Sequence, residues 1–233
     1  MFRQTLQALI PATAAMALVA TPLAAETVKL VTGNDYKPFT DEKLPDGGLA
    51  TDLVRSAYEK TGYDVEVTFM PWKRGMRSVE RGAYLATFPY LKTPEREKGW
   101  VYSDPLVVVQ DKPVLAADSD ITLSSLADMV GLTTCNPKGW STPEWLKQIL
   151  DSGKVTVQEP RNLASCLRLI DAGRVDFLVM PVPVVQSTAN DVFGSFDKFR
   201  LSDLVVQESK EHVIFPKTSE TAEADAAAFN DAL

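Results

Sequence analysis

The chain has 233 residues, with 24 Lys and Arg, 31 Asp and Glu, one His, two Cys and a net charge of −7. Hydrophobic residues make up 45% and charged residues 24%, the proportions of a soluble globular protein rather than a disordered or collagen-like one. There is no dense basic run, so no nucleic-acid partner is expected; two Cys and one His cannot build a Cys₄ or Cys₂His₂ zinc site, and neither a metal nor a cofactor is expected.

Residues 1–25 carry one charge, Arg3, then an apolar stretch from about Ala8 to Ala20, then Leu23-Ala24-Ala25 ahead of Glu26. A positive start, a short apolar centre and small residues at the cut form a secretory signal peptide. A membrane anchor would need about 20 apolar residues, and Pro11 and Pro22 interrupt this stretch. The expectation is export to the periplasm with cleavage near Ala25, which leaves 23 basic and 31 acidic residues and a charge of −8 in an oxidising compartment.

Strands and helices then alternate. Thr27–Thr32 alternates apolar and polar residues as a strand does; Leu49-Ala50, Leu53-Val54 and Ala57-Tyr58 recur at helical spacing up to Gly62; Val65–Phe69 is a second strand; Pro71 and Trp72 open a helix that ends at Gly82; and Ala83–Phe88 is a third strand. This β-α-β-α-β order belongs to a parallel sheet covered by helices. From Asp111 a second unit follows: a short helix over Leu123–Val130, a strand over Gly131–Cys135, a helix over Ser141–Leu150, a strand over Val155–Gln158, a helix over Asn162–Ala172 and a strand over Val175–Met180. The two units echo each other in a helix-Gly-strand step, Glu80-Arg81-Gly82-Ala83 and Asp171-Ala172-Gly173-Arg174. Two small α/β units create a cleft, where ligands favour the carboxyl ends of strands.

Five stretches, Tyr36-Lys37-Pro38-Phe39, Gly47-Gly48-Leu49-Ala50-Thr51-Asp52-Leu53, Thr93-Pro94-Glu95-Arg96, Tyr102-Ser103-Asp104-Pro105-Leu106 and Gly173-Arg174-Val175-Asp176, stand in this order behind the signal segment. With them the chain resembles the family 3 extracellular solute-binding proteins, the polar amino-acid-binding type that serves ABC importers. The resemblance implies a type II periplasmic binding protein fold, two hinged lobes around a cleft, each lobe a mostly parallel sheet flanked by helices. Lobe 1 would be residues 26–110 with 206–233 returning to it, and lobe 2 residues 111–205. It also implies a small-molecule solute, a transient membrane ABC permease partner and a monomer. The sequence departs from the family pattern at three places. Phe88-Pro89-Tyr90-Leu91 replaces small hydroxyl residues that contact a ligand carboxylate, Tyr84 replaces an Asp, and Met180-Pro181-Val182-Pro183 stands where an acidic residue usually meets an α-ammonium.

Arg96 is the first candidate for ligand contact, because a guanidinium offers a rigid fork of donors to a carboxylate. Thr93 and Pro94 suit the N-cap and first position of a helix that would hold it; the plain alternative is a surface Arg paired with Glu95 or Glu97. Tyr36 and Trp72 are candidate aromatic walls, with core packing as the alternative, and Arg74 is a weaker candidate one turn along. On the far side Gly139, Trp140 and Ser141 precede Glu144; Ser141 with Glu144 reads as a capping box, whose helix N-terminus attracts anions. Cys135 and Cys166 suggest one disulfide in an oxidising compartment, two buried thiols being the alternative. His212, the only imidazole, lies in an apolar stretch and reads as a strand residue, and no catalytic residue is expected. With Arg96 and Arg74 converging and no acidic residue at Pro181, the preferred solute is expected to be an organic anion, or an amino-acid derivative whose amine rests on Tyr36 or Trp72. An enzyme on the same scaffold, similar to cyclohexadienyl dehydratase with Glu95 or Asp35 as general acid or base, and a sensory ligand-binding partner are the competing functions.

Overall fold

A computed structural model describes residues 26–233 apart from Ser152 and Lys154; the signal segment and its cleavage point lie outside the described residues. In chain order the elements are β1 (Thr27–Thr32), α1 (Leu49–Lys60), β2 (Asp64–Phe69), α2 (Trp72–Glu80), β3 (Ala86–Leu91), α3 (Pro94–Glu97), β4 (Trp100–Ala116), β5 (Thr133–Cys135), α4 (Glu144–Asp151), β6 (Thr156–Gln158), α5 (Leu163–Asp171), β7 (Leu178–Pro181), α6 (Val182–Phe193), β8 (Phe199–Leu201), β9 (Gln207–Pro216) and α7 (Ala222–Ala232).

The first three strands form the parallel unit that the periodicity predicts. β1 lies between β2, in register from Thr27 opposite Asp64 to Thr32 opposite Phe69, and β3, with Leu30 opposite Ala86. Parallel neighbours need a crossover, and α1 and α2 supply it. α1 buries Ala50, Val54, Ala57 and Tyr58, one stripe at helical spacing.

Two predicted strands start three residues later than their sequences suggest, at Ala86 and Leu178, because the residues after each helix-ending Gly are used to stop the helix. Gly82 and Gly173 both have positive φ, 74° and 64°. In each case the next amide reaches back five residues, Ala83 to the Ser78 carbonyl (3.0 Å) and Arg174 to that of Leu169 (2.9 Å), which satisfies a carbonyl the helix leaves open. The echoed sequences thus share one helix stop.

The remaining strands mix the sheet. β9 lies between β3 and β4, antiparallel to both, giving the order β2-β1-β3-β9-β4-β7 with β8 also beside β4. The 17-residue β4 pairs with β9 from Trp100 opposite Pro216 to Asp111 opposite Gln207, then with β7 from Asp111 opposite Pro181 to Val114 opposite Leu178. β5 and β6 form a parallel pair, tied to the residue before β7 by a bridge between Thr134 and Phe177. The parallel expectation therefore holds for β1, β2, β3, β5 and β6, and the antiparallel pairs are those of β4 and β9. His212 is a β9 residue, as read, with Nδ1 2.7 Å from the Ser103 carbonyl and the ring edge-on to Tyr102.

Leu115, Met129, Trp145, Leu146, Ile149 and Phe177 pack into one apolar cluster around α4, while Val31, Val79, Tyr90, Trp100 and Ile214 pack beneath α2. On α7, Ala222, Ala226 and Phe229 are buried at i, i+4 and i+7, and the Phe229 ring meets Tyr58 at 5.4 Å. Burying side chains of this size contributes about 1.5–3 kcal/mol each. Among the described residues no helix is long and apolar enough to cross a membrane.

Cys135, at the end of β5, is bonded to Cys166 on α5 across 31 residues of chain; both are buried. A closed loop of this length limits the unfolded chain by about 3–4 kcal/mol in the chain-entropy treatment. Cys135→Ser is expected to lower the unfolding free energy of the oxidised protein by about that amount, as measured by urea denaturation, and reduction of the native protein should reproduce the loss. Equal midpoints for oxidised and reduced protein would show that the crosslink carries no stability.

Candidate functional site

A cavity of about 100 Å³ opens where β4 and β9 run past β7, walled on one side by residues after β1 and around β3 and on the other by the segment between β5 and α4. Its floor follows from strand alternation. Gln207, Ser209 and Glu211 are two apart on β9, share one face and all line the cavity. Asp111 of β4 lies opposite Gln207 and, on its other side, opposite Pro181.

These groups form a short polar network. Gln207 Nε2 and Ser209 Oγ both donate to Asp111 Oδ2, and Gln207 Nε2 also approaches Ser209 Oγ at 2.9 Å. The Tyr36 hydroxyl donates to Glu211 Oε1. Asp111 Oδ1 and Glu211 Oε2 are buried with no hydrogen-bond partner. Removal from water pushes the Glu211 carboxyl up to about 7; the Tyr36 bond opposes this, the Asp111 charge adds to it and Arg96 opposes it. Burial also raises Asp111, against the pull of its Ser209 and Gln207 bonds, and holds the Tyr36 hydroxyl well above its ordinary value.

The walls are aromatic. Tyr36 meets Trp72 edge-on at 6.0 Å and Trp140 at 5.7 Å, and Trp72 meets Tyr90 at 5.6 Å. The position of Trp72 depends on Gly33, since a Cβ there would lie 2.2 Å from indole Cε2; only a residue without a side chain lets the ring rest on this backbone. Arg96 lies along the Tyr90 ring, its Cζ 4.8 Å from the centroid, and donates from one terminal nitrogen to the Leu91 carbonyl at 2.9 Å. Among the described residues that carbonyl is the guanidinium's one hydrogen-bond acceptor, so further N–H groups are free for a ligand.

Of the residues predicted to touch a ligand, Tyr36, Trp72, Arg96, Gly139, Trp140 and Ser141 line the cavity, and Arg74 and Thr93 do not. Arg74 is exposed. It is two residues beyond Trp72 on α2, about 200° around the helix, so the turn that brings Trp72 inward sends Arg74 out. Thr93 acts one step removed: it caps α3, accepting from the Arg96 amide at 3.3 Å, with Pro94 behind it. Gly139 adopts φ +90° with nothing within 4 Å of a Cβ position, so the backbone conformation, not close approach, calls for glycine. The capping box at Ser141 does not form in the expected register. α4 begins at Glu144, the Leu146 and Lys147 amides turn back to the Pro143 carbonyl, and the Ser141 carbonyl accepts from Asn136. Glu95 is exposed and paired with Lys147, and Asp35 is exposed outside the cavity.

Sequence reading missed Asp111, Ser209, Glu211 and Tyr90. Its premise that Arg96 and Arg74 converge does not hold, since Arg74 is exposed and outside the cavity, which Asp111 and Glu211 line together with Arg96. The available signal was Gln207-x-Ser209-x-Glu211, polar residues at period two leading into the apolar Val213-Ile214-Phe215.

Residues 28–232 match the family of bacterial extracellular solute-binding proteins, family 3. No curated protein sequence matches the chain significantly. Among solved structures, similarity extends to the amino-acid ABC transporter substrate-binding protein AbpA of Streptococcus pneumoniae, bound to L-arginine, with 20% identity over 88% of this chain and 86% of that one and a TM-score of 0.72. A Streptococcus mutans structure, from work on glutathione import through GshT and the cystine ABC importer TcyBC, shows 22% identity over 89% and 87% and a TM-score of 0.74. A histidine kinase sensor domain with similarity to periplasmic binding proteins shows 16% identity over 89% of each chain and a TM-score of 0.76. At these identities the likeness establishes the fold, that of type II periplasmic binding proteins.

Between pH 4.5 and about 7 the folded chain keeps the Glu211 proton that the unfolded chain has already lost. Its contribution to stability therefore falls as pH rises through this window and is level above it, by roughly 3 kcal/mol in total. Glu211→Gln is expected to flatten that part of the pH profile of ligand-free protein. Parallel melting profiles for wild type and variant from pH 4.5 to 8 would show that Glu211 ionises normally.

Proposed function

The chain belongs to the bacterial extracellular solute-binding proteins, family 3, and we propose on that basis that it captures a small carboxylated solute, an amino acid or a close relative, in the periplasm and delivers it to a membrane ABC permease. In this reading residues 1–25 are removed near Ala25 during export. Residues 26–110 with 206–233 form one lobe and 111–205 the other, β4 and β9 being the two strands that cross between them, and the protein works as a monomer.

The observation that carries the reading is Arg96. It is lodged against the Tyr90 face inside the cavity, and burial lowers its pKa against the stabilising influence of Tyr90, Tyr102 and Glu211. A guanidinium held this way, with unused N–H groups, suits a planar carboxylate. The aromatic walls cover the remainder of a small solute, and Gly139, Trp140 and Ser141 meet it from the second lobe. Three contacts then join the lobes: Tyr36 to Trp140, Lys37 to Asp191 at 2.6 Å, and Glu95 to Lys147. Both ion pairs are partly exposed, where such pairs contribute about 0–1 kcal/mol, so closure depends mainly on the ligand between the aromatic walls.

Calorimetry with a panel of amino acids and small organic acids tests this. Arg96→Ala should weaken binding of the preferred solute by about 2–5 kcal/mol, and Arg96→Lys should weaken it as well, because the planar fork is lost. Tight binding unchanged in Arg96→Ala would remove Arg96 from the site.

A further inference from the structure

Helix α2 carries four cations on one face. Lys73, Arg74, Arg77 and Arg81, the last capping its end, are all exposed. At about 100° per residue, Arg77 lies roughly 40° around the helix from Lys73, Arg81 roughly 80° and Arg74 roughly 100°, so the four share one arc. The opposite arc holds Trp72, Gly75, Met76 and Val79 and packs on the sheet, Gly75 against Val31. Among the described residues none of the four charged groups has an ion-pair partner. None of them lines the cavity.

Helix stability does not account for this arrangement. Lys73 with Arg77, and Arg77 with Arg81, are like charges at i, i+4, which repel along a helix. Lys73 and Arg74 stand in the first turn, where the helix dipole favours acids, and that turn has none. The chain as a whole is acidic, with a net charge of −7, yet Glu80 is the one acid on α2. The sheet keeps other acids apart from it. Leu30 and Val31 point to opposite faces of β1; Leu30 packs with Tyr58 of α1 and Phe229 of α7, and Val31 with Val79 of α2. α7 bears Glu223, Asp225 and Asp231 and no Lys or Arg. One side of the sheet thus carries an acidic helix and the other a cationic one. Local conflicts of charge that persist in this way belong to functional surfaces.

We propose that the stripe of Lys73, Arg74, Arg77 and Arg81 docks an acidic protein surface, a helix or loop presenting Asp and Glu along about 12 Å, the length of the stripe. Three of the four cations are Arg, whose planar fork pairs with a carboxylate by two parallel hydrogen bonds. A lipid bilayer fits less well. Helices that lie on membranes turn large apolar side chains to the lipid beside their basic ones, whereas Trp72, Met76 and Val79 are turned to the sheet. An extended anionic plane would also face the acidic remainder of the chain. A partner no longer than the stripe is screened from charges beyond about 8 Å at physiological salt. The surface lies outside the cavity, so the inference does not depend on what the cavity holds. Since Trp72 precedes Lys73 and lines the cavity, the docked partner sits beside one cavity wall.

Fluorescence anisotropy with a labelled, capped helical peptide bearing Glu at every fourth residue tests this. Wild-type protein should bind it at about 20 mM salt and at least tenfold more weakly at about 200 mM. The same peptide with Gln in place of Glu should bind at least tenfold more weakly at low salt. The combined variant Lys73→Gln, Arg74→Gln, Arg77→Gln and Arg81→Gln should lose at least tenfold in affinity. It should melt no lower than wild type, because repulsion within the helix is relieved; Arg77→Gln with Arg81→Gln, a milder change, should lose at least threefold. A control with Lys60→Gln, Lys98→Gln, Arg161→Gln and Lys210→Gln removes as much charge from scattered exposed positions and should bind within threefold of wild type. No binding by wild type, equal binding of the Gln peptide, or equal loss in variant and control overturns the proposal. Capture of wild type, but not of the α2 variant, by vesicles of equal parts phosphatidylglycerol and phosphatidylcholine at about 150 mM salt overturns the protein partner in favour of a bilayer.

Discussion

The antiparallel pairing of β4 with β9 is the constraint on which the rest of the molecule depends. Nearly the whole of β9 pairs with β4, with two register shifts between Tyr102 and Val107, and β4 continues beyond it to take β7 and β8. Remove that ladder and the parallel unit of β1, β2 and β3 keeps no strand connection to the second half. The same ladder decides which side chains reach the cavity floor. Because alternate residues share a face, a slip of one residue would replace Gln207, Ser209 and Glu211 by Glu208, Lys210 and His212. The ladder beneath the floor is regular from Val107 opposite Glu211 to Asp111 opposite Gln207, and that pairing holds the three side chains on one face.

The electrostatics are not what stability alone would select. Two buried carboxyl groups on adjacent strands forgo hydration, and the protein returns only part of what water would give: two donors on Asp111 and one on Glu211. Natural proteins keep such local conflicts at functional sites. The aromatic residues around the floor complement this, because Tyr and Trp exclude water while presenting polar edges and π faces. A floor short of donors under walls that exclude water is organised for a guest.

Much of the fold was legible because it rests on local signals. Alternation and helical stripes gave the β1-α1-β2-α2-β3 order, and a glycine after each of two stripes gave equivalent helix stops. The two Cys, read through the export signal, gave the bond between β5 and α5. Some residues attached to such signals also line the cavity: Tyr36 after a strand, Trp72 opening a helix, Arg96 behind a Thr-Pro cap. What was missed depends on pairing between distant segments. Asp111 and Gln207 are neighbours only because β4 and β9 pair, and an acid within a strand reads as solvent-facing until its partners are known. Arg74 failed for a different reason, since being near Trp72 in sequence says nothing about angle around the helix. The capping box at Ser141 failed, although Ser141 lines the cavity, because α4 starts only at Glu144, with the Leu146 and Lys147 amides turned back to the Pro143 carbonyl.

The contact of Gly33 with Trp72 has an evolutionary consequence. A methyl group at position 33 and the indole at position 72 compete for one volume, so position 33 cannot drift alone: a side chain at 33 is admissible only after the ring at 72 has shrunk, and once it has, nothing preserves the glycine. The two positions change in a fixed order, and a lineage that trades away the aromatic wall can fill the vacated space with an ordinary residue. Return would then require two coordinated changes, the first of which has no benefit by itself. Divergence in solute preference through this wall would run as a ratchet.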